Sequence, residues 1–153
     1  MPKINPFLWF DDQAEAAAKY YVSVFKNSKI GGIMRYDAAA AKAGGRPEGS
    51  VLTVSFQLEN QDFVALNGGP IFKFSEAVSF VVTCEDQKEI DYYWEKLSAV
   101  PEAEQCGWCK DKFGLSWQIV PKNLGDLINN PGGMQAMLKM KKLNIQQMKD
   151  AAK

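Results

Sequence analysis

The sequence predicts an α+β fold in which two tandem β-α-β-β-β modules are followed by C-terminal helices. Three observations carry that reading. An apolar strand, an amphipathic helix and further strands occur in that order twice within 153 residues. Each helix is announced by an acidic capping box, Asp12-Gln13-Ala14-Glu15 and Asp86-Gln87-Lys88-Glu89. Between the two runs lies Asn67-Gly68-Gly69-Pro70, a strong chain breaker. The organisation that follows is a first module over 1–69, a second over 70–121 and a helical extension over 122–153.

Ile4 to Phe10 is an apolar and aromatic run with strand character. Behind the first capping box, Ala14, Ala17, Ala18, Tyr21, Val22 and Phe25 recur at helical spacing and form one buried stripe. Asn27-Ser28 ends that helix, and Ile30 to Tyr36 reads as a strand. Asp37 to Gly49, rich in Ala and Gly, reads mainly as a mobile loop, with a short helical turn at its start as the alternative. Ser50 to Leu58 and Asp62 to Leu66 are strands joined as a hairpin through Glu59-Asn60-Gln61.

The second run begins with Ala77 to Cys84 as a strand. Its helix carries Ile90, Tyr93, Trp94 and Leu97 on one face. Gln105 to Lys110 and Leu115 to Val120 read as strands joined by a turn at Asp111 to Gly114. Past Pro121, Leu124, Leu127 and Ile128, then Met134, Met137, Leu138 and Met140, then Leu143, Ile145 and Met148 mark helices. Their methionine-rich stripe is read as a docking face for the rest of the chain.

Composition excludes several classes of function. Lys and Arg number 18, Asp and Glu 18, and no basic run is sustained, so no nucleic-acid partner is expected. No apolar run approaches the ~20 residues of a membrane span, and the N-terminal residues lack the apolar core of a signal peptide. Three cysteines form an odd set without secretory context, which points to reduced thiols and a cytoplasmic setting. Histidine is absent, which removes the commonest general acid–base group and the commonest transition-metal ligand.

Cys106-Gly107-Trp108-Cys109 has the spacing of a redox pair or half a zinc site. No helix follows the first cysteine to lower its pKa. If the segment is extended, positions three apart lie ~10 Å from each other on opposite faces, whereas a disulfide needs Cα atoms within about 7 Å. The reading is therefore of buried, inert cysteines, with Cys106 or Cys109 as a single cavity-facing thiol the alternative. No cofactor motif is present either. After Phe10 the chain offers Asp11-Asp12-Gln13-Ala14, without the glycines that a dinucleotide or S-adenosylmethionine turn uses.

Several stretches together resemble a known family. These are Pro6-Phe7-Leu8-Trp9-Phe10, Phe63-Val64-Ala65-Leu66-Asn67-Gly68-Gly69-Pro70, Asp111 through Pro121, and Ala136 through Leu143. They resemble the PhnB-like branch of the vicinal oxygen chelate superfamily (glyoxalase, bleomycin resistance, dioxygenase), whose members often carry the label "3-demethylubiquinone-9 3-methyltransferase domain". The resemblance implies a curved sheet wrapped around a cavity with helices outside. It also implies a homodimer, in some members with exchanged modules.

The resemblance further implies that the superfamily's four metal-ligand positions fall at Asn5, Thr53, Ala77 and Gln118. Neutral amides, a hydroxyl and a methyl group are poor ligands for a divalent cation, so no metal is expected. With Gln118 facing the cavity, Ser116 and Val120 share its face while Trp117 and Ile119 point to the helices. Three functions follow as expectations. One is a metal-free homodimer that binds an unidentified small molecule. Another is an enzyme of the same fold that works through cavity groups such as Cys106, Tyr36 or a carboxylate. The third is an interaction protein with a vestigial cavity.

Overall fold

The computed structural model describes residues 2–153, which divide into two compact units, one running to Lys73 and one from Phe74 to Lys153.

The first unit is built from β1 (Phe7–Phe10), α1 (Ala14–Val24), β2 (Lys29–Arg35), α2 (Ala38–Gly44), β3 (Val51–Leu58) and β4 (Gln61–Asn67). The strands form one sheet in the order β1-β4-β3-β2, with β1 parallel to β4 and the other pairs antiparallel. Strand alternation sends Leu8, Phe10, Val54, Phe56, Leu58, Phe63 and Ala65 to one face, where all are buried. On α1, Ala17 and Ala18 are fully buried, so the helix backbone comes close to that face, and Tyr21 packs its ring 6.2 Å from that of Phe56. The stripe differs from expectation at one position. Val24 is buried and Val22 only half-buried.

The first capping box does not form. Gln13 takes the N-cap position without a side-chain bond, and the N–H of Ala14 is taken by Asn67 Oδ1 at 2.8 Å, from the far end of β4. Glu15 pairs instead with Lys19 one turn on. The expected loop over 37–49 is also corrected, because its alanines fold as α2. Asp37 caps it by accepting from the N–H of Ala40, and Gly45 closes it in the left-handed region at φ 66°. The β3–β4 hairpin turns on two residues, Glu59 and Asn60, both at positive φ.

The second unit contains β5 (Ser79–Cys84), α3 (Gln87–Leu97), a 3-10 turn (Pro101–Ala103), β6 (Trp108–Lys110) and β7 (Ser116–Pro121). Three helices follow, α4 (Leu124–Ile128), α5 (Pro131–Leu138) and α6 (Ile145–Ala151). Its sheet runs β5-β7-β6, three strands among the described residues, with no counterpart of β2. Residues 98–107 occupy that place in the sequence. Gln105 to Lys110 is not continuously extended as expected. Gln105 and Trp108 bridge across a tight turn whose central residues, Cys106 and Gly107, sit at φ 53° and 88°. The N-cap half of the second capping box does form, with Asp86 accepting from the N–H of Glu89. Glu89 reaches back to the N–H of Glu85.

The C-terminal helices dock on their own unit. Leu143 and Met148 are fully buried in a cluster with Val120 and Leu127, against which Met137 and Met140 also pack. The carbonyls of Met140 and Lys141 accept the N–H groups of Cys106 and Gly107. Gln87 ties the same segment to α3 by donating to the Leu143 carbonyl and accepting from the N–H of Ile145. Close approach of α5 to its neighbours depends on glycine, since a Cβ on Gly133 would lie 1.9 Å from the Leu127 carbonyl oxygen. Gly133→Ala is therefore expected to cost ~2 kcal/mol through overpacking. The loss should be visible as a lower urea midpoint and as faster proteolytic removal of the C-terminal helices. Among the described residues no helix is long and apolar enough to cross a membrane.

Candidate functional site

Each sheet has one face turned to its helices and one open face. On the first sheet the open face carries the odd-numbered residues of β1 and β3 and the even-numbered ones of β4. Trp9 is level with Leu66 and Thr53, and Phe7 with Val64 and Ser55. Phe7 is 60% exposed and Met34, on the edge strand β2, 62%. Both stand at the edges of a sheet whose other face is packed on α1.

At the Asn5 end of this face lies a pocket of about 640 Å³. Its polar wall is formed by Asn5, Ser55, Gln57 and Asp62, and its low side by Gly31 and Gly32 of β2. Gln57 Nε2 donates to Asp62 Oδ1 at 2.8 Å and fixes the carboxylate across the β3–β4 pair. Asn5 Nδ2 donates to the Pro2 carbonyl, while its Oδ1 is shielded from solvent and accepts no hydrogen bond. Lys29 stands exposed at the same pocket. A side chain on Gly31 would meet Ser55 at 3.1–3.3 Å, so glycine there keeps the wall low. A Cβ on Gly32 would meet nothing within 4 Å.

On the second sheet, Gln118 lies between Val81 and Trp108, and Val81 is 55% exposed. Gln118 Nε2 donates to Ser79 Oγ at 3.0 Å. The neighbouring row is Ser79, Ser116 and Lys110. Lys110 is ion-paired with Glu76, and that hydrogen bond holds the Glu76 carboxyl below the usual carboxylate range. Ser116 Oγ is buried without a partner. Trp117 and Ile119 are buried, as alternation requires. Val120 is buried as well, because the C-terminal helices close over it.

The four positions carried over from the resemblance fall as follows. Asn5 lines the pocket just ahead of β1. Thr53 lies half-buried further along the same face, level with Trp9 and outside the pocket lining. Gln118 sits on the open face of the second sheet. Ala77 lies before β5 and is exposed, so it belongs to no strand. The donor set is two amides, a hydroxyl and a methyl group, and the described residues contain no cluster of three or more His, Cys, Asp or Glu side chains. These residues do not fit a divalent metal.

The two candidate catalytic groups have structural employment. Tyr36 is buried and its hydroxyl donates to the Asn67 carbonyl. Cys106 is half-buried at a left-handed turn position with its sulfur 3.7 Å from the Leu138 carbonyl. All three cysteines are free thiols. Burial, with Glu89 and Asp86 nearby, pushes the Cys84 thiol up to about 12. Burial, with Asp111 and Glu104 nearby, does the same for Cys109. The expected outcome is that one thiol, Cys106, reacts with a disulfide reagent at pH 8 in the native protein and three react after denaturation. The same shifts favour the neutral thiols in the folded state. Their contribution to stability is therefore complete below pH 9.0 and is lost as pH rises towards about 12.

The residues that sequence reasoning missed are Ser55, Gln57 and Asp62. Period-two alternation from Asn5 through the β1–β4–β3 register places all of them on one face, but that register is fixed by tertiary pairing. The α1 N-terminus is closed by Asn67, and the loop before it, Asp11 to Gln13, has no glycine. That end of the helix therefore does not fit a methyl-donor nucleotide.

Comparison with known proteins places these features in context. Residues 2–120 match the family described as 3-demethylubiquinone-9 3-methyltransferase. No curated protein matches the sequence. Among solved structures, the chain is similar to a putative 3-demethylubiquinone-9 3-methyltransferase, PhnB protein, from Bacillus cereus. Identity is 36%, coverage 78% of this chain and 99% of the other, and the TM-score 0.64. A protein from Pseudomonas aeruginosa shares the fold at 13% identity, with coverage of 80% and 98% and a TM-score of 0.58.

Proposed function

Because this chain belongs to the 3-demethylubiquinone-9 3-methyltransferase family, in its PhnB-like branch, we propose that it is a metal-free homodimer that holds a small molecule in the pocket on the open face of its first sheet. The observation that carries this reading is the pocket itself. It is a concavity of about 640 Å³ with convergent polar groups at Asn5, Ser55, Gln57 and Asp62, the usual anatomy of a small-molecule site. The dimer reading is supported by exposed apolar side chains on the open faces of both sheets, Phe7 on one and Val81 on the other. A second copy, with modules exchanged or not, would cover them. The cytoplasm is the setting that three free thiols favour.

Methyl transfer, which the family's description names, finds no support in the α1 N-terminus. Metal-dependent chemistry finds none in the donor set at Asn5, Thr53, Ala77 and Gln118. The function that remains is binding, and any chemistry would have to use the pocket's own carboxylate and hydroxyl.

Gly32→Phe tests the pocket. The position accepts a Cβ without contact and has no positive φ, so the variant is expected to fold with an unchanged circular dichroism spectrum. It is also expected to lose at least tenfold in affinity for any small molecule that the wild type binds. A variant that folds and binds undiminished would place the ligand elsewhere.

A further inference from the structure

Resting on the pocket proposed above, we propose that Asn5 and Asp62 select a ligand whose head group is a hydrogen-bond donor, and specifically a protonated amine. Asn5 is kept at a cost to the free protein. Its Oδ1 is sealed from solvent and accepts nothing, an arrangement that natural structures rarely retain without a reason. In this proposal the side chain turns on binding so that the oxygen faces the pocket that Asn5 already lines. The rotation gives up only the exposed bond to the Pro2 carbonyl. The acceptor then finds its partner on the ligand.

Asp62 supplies the charge. It is the one carboxylate among the described lining residues. By the β1–β4 register, in which Phe7 is level with Val64, it lies on the same face as Asn5. Gln57 holds the carboxylate in place through Oδ1. Ser55 adds a hydroxyl that also accepts. The single cation of the lining, Lys29, is exposed on the edge strand β2, in one row with Gln57 and Asp62 and further across the sheet from β1 than the carboxylate. A donor head placed between Asn5, Ser55 and Asp62 therefore meets acceptor oxygens, and a carboxylate head in that place meets Asp62 as a like charge.

The test uses benzylamine, benzyl alcohol and benzoate, which share a ring and differ in the head. Each is titrated into full-length, nitrogen-15-labelled protein while the amide signals of Gly31, Gly32 and Val64 are followed. Benzylamine is expected to shift these signals with at least tenfold higher affinity than benzoate. Asp62→Asn should reduce it to the level of benzyl alcohol. Asn5→Leu should weaken benzylamine and benzyl alcohol alike while raising the melting temperature of the free protein, because the orphaned oxygen is gone. A purely structural Asn5 predicts the opposite change in melting temperature. Benzoate binding as well as benzylamine, or Asn5→Leu binding undiminished, would overturn the selectivity and leave the pocket standing. Failure of all three probes to move the pocket signals would overturn the selectivity and count against the pocket as well.

Discussion

Asp111→Ala is expected to destabilise the second unit by about 4 kcal/mol, enough to leave much of it unfolded at 37 °C if its total stability is in the ordinary range. The carboxylate is buried to 1% exposure and accepts three hydrogen bonds. Oδ1 takes the N–H groups of Phe113 and Leu115 at 2.8 and 3.1 Å, and Oδ2 takes the indole N–H of Trp117 at 2.8 Å. One side chain thereby closes the turn between β6 and β7 and fixes the largest ring of β7. Alanine leaves three donors without an acceptor, at ~1–3 kcal/mol each before relaxation and entry of water. Asp111→Asn is the informative control. It keeps an acceptor for the two turn amides but sets an NH₂ group against the Trp117 N–H, and it should lose about half as much. The measurement is urea unfolding followed by circular dichroism and tryptophan fluorescence. Equal stability of wild type and Asp111→Ala would refute the argument.

Asn67→Ala should be nearly as costly to the first unit, at ~3 kcal/mol. Its Oδ1 caps α1 at Ala14, its Nδ2 donates to the Val51 carbonyl at 3.2 Å, and its own carbonyl accepts from the Tyr36 hydroxyl. The side chain thus joins the start of α1 to the start of β3, and its backbone holds the ring of Tyr36. Asn67→Asp separates the two side-chain roles. It retains the acceptor, gains from a negative charge at the helix N-terminus, and loses the bond to Val51 in exchange for a repulsion. An intermediate loss is expected. Tyr36→Phe, which removes only the hydroxyl, should cost ~1 kcal/mol.

These two residues also explain which parts of the fold were legible in the sequence. Periodicity reports which face of an element is buried, and it did so for α1, α3 and most strands. The Asp86 box formed because its partners lie within four residues. The Asp12 box did not: Gln13 takes the N-cap position, and Asn67, distant in sequence, accepts from the N–H of Ala14. The alanines from Ala38 to Ala41 carried the highest helix propensity in the chain. With Asp37 ahead and Gly45 behind, they held a complete helix signal that the nearby glycines obscured. Cys106-Gly107 was read as strand because the sequence shows no partner for its backbone. In the fold, the carbonyls of Met140 and Lys141 accept from both N–H groups and hold the turn.

The site was legible only in part. Asn5 and Gln118 were singled out through the resemblance, and both sit on open sheet faces. Ala77 falls short of its strand. Ser55, Gln57 and Asp62 join Asn5 only through the parallel pairing of β1 with β4, a contact between residues 57 apart in sequence that no local pattern encodes.

Native mass spectrometry of gently purified protein tests the central claim most directly, because one spectrum reports subunit number, bound metal and bound organic mass together. The proposal predicts a dimer that carries an organic adduct of a few hundred daltons or less, no stoichiometric metal, and loss of the adduct in Gly32→Phe. A dimer with one metal ion per subunit that survives dilution, or a bare monomer whose spectrum no small molecule changes, would contradict it.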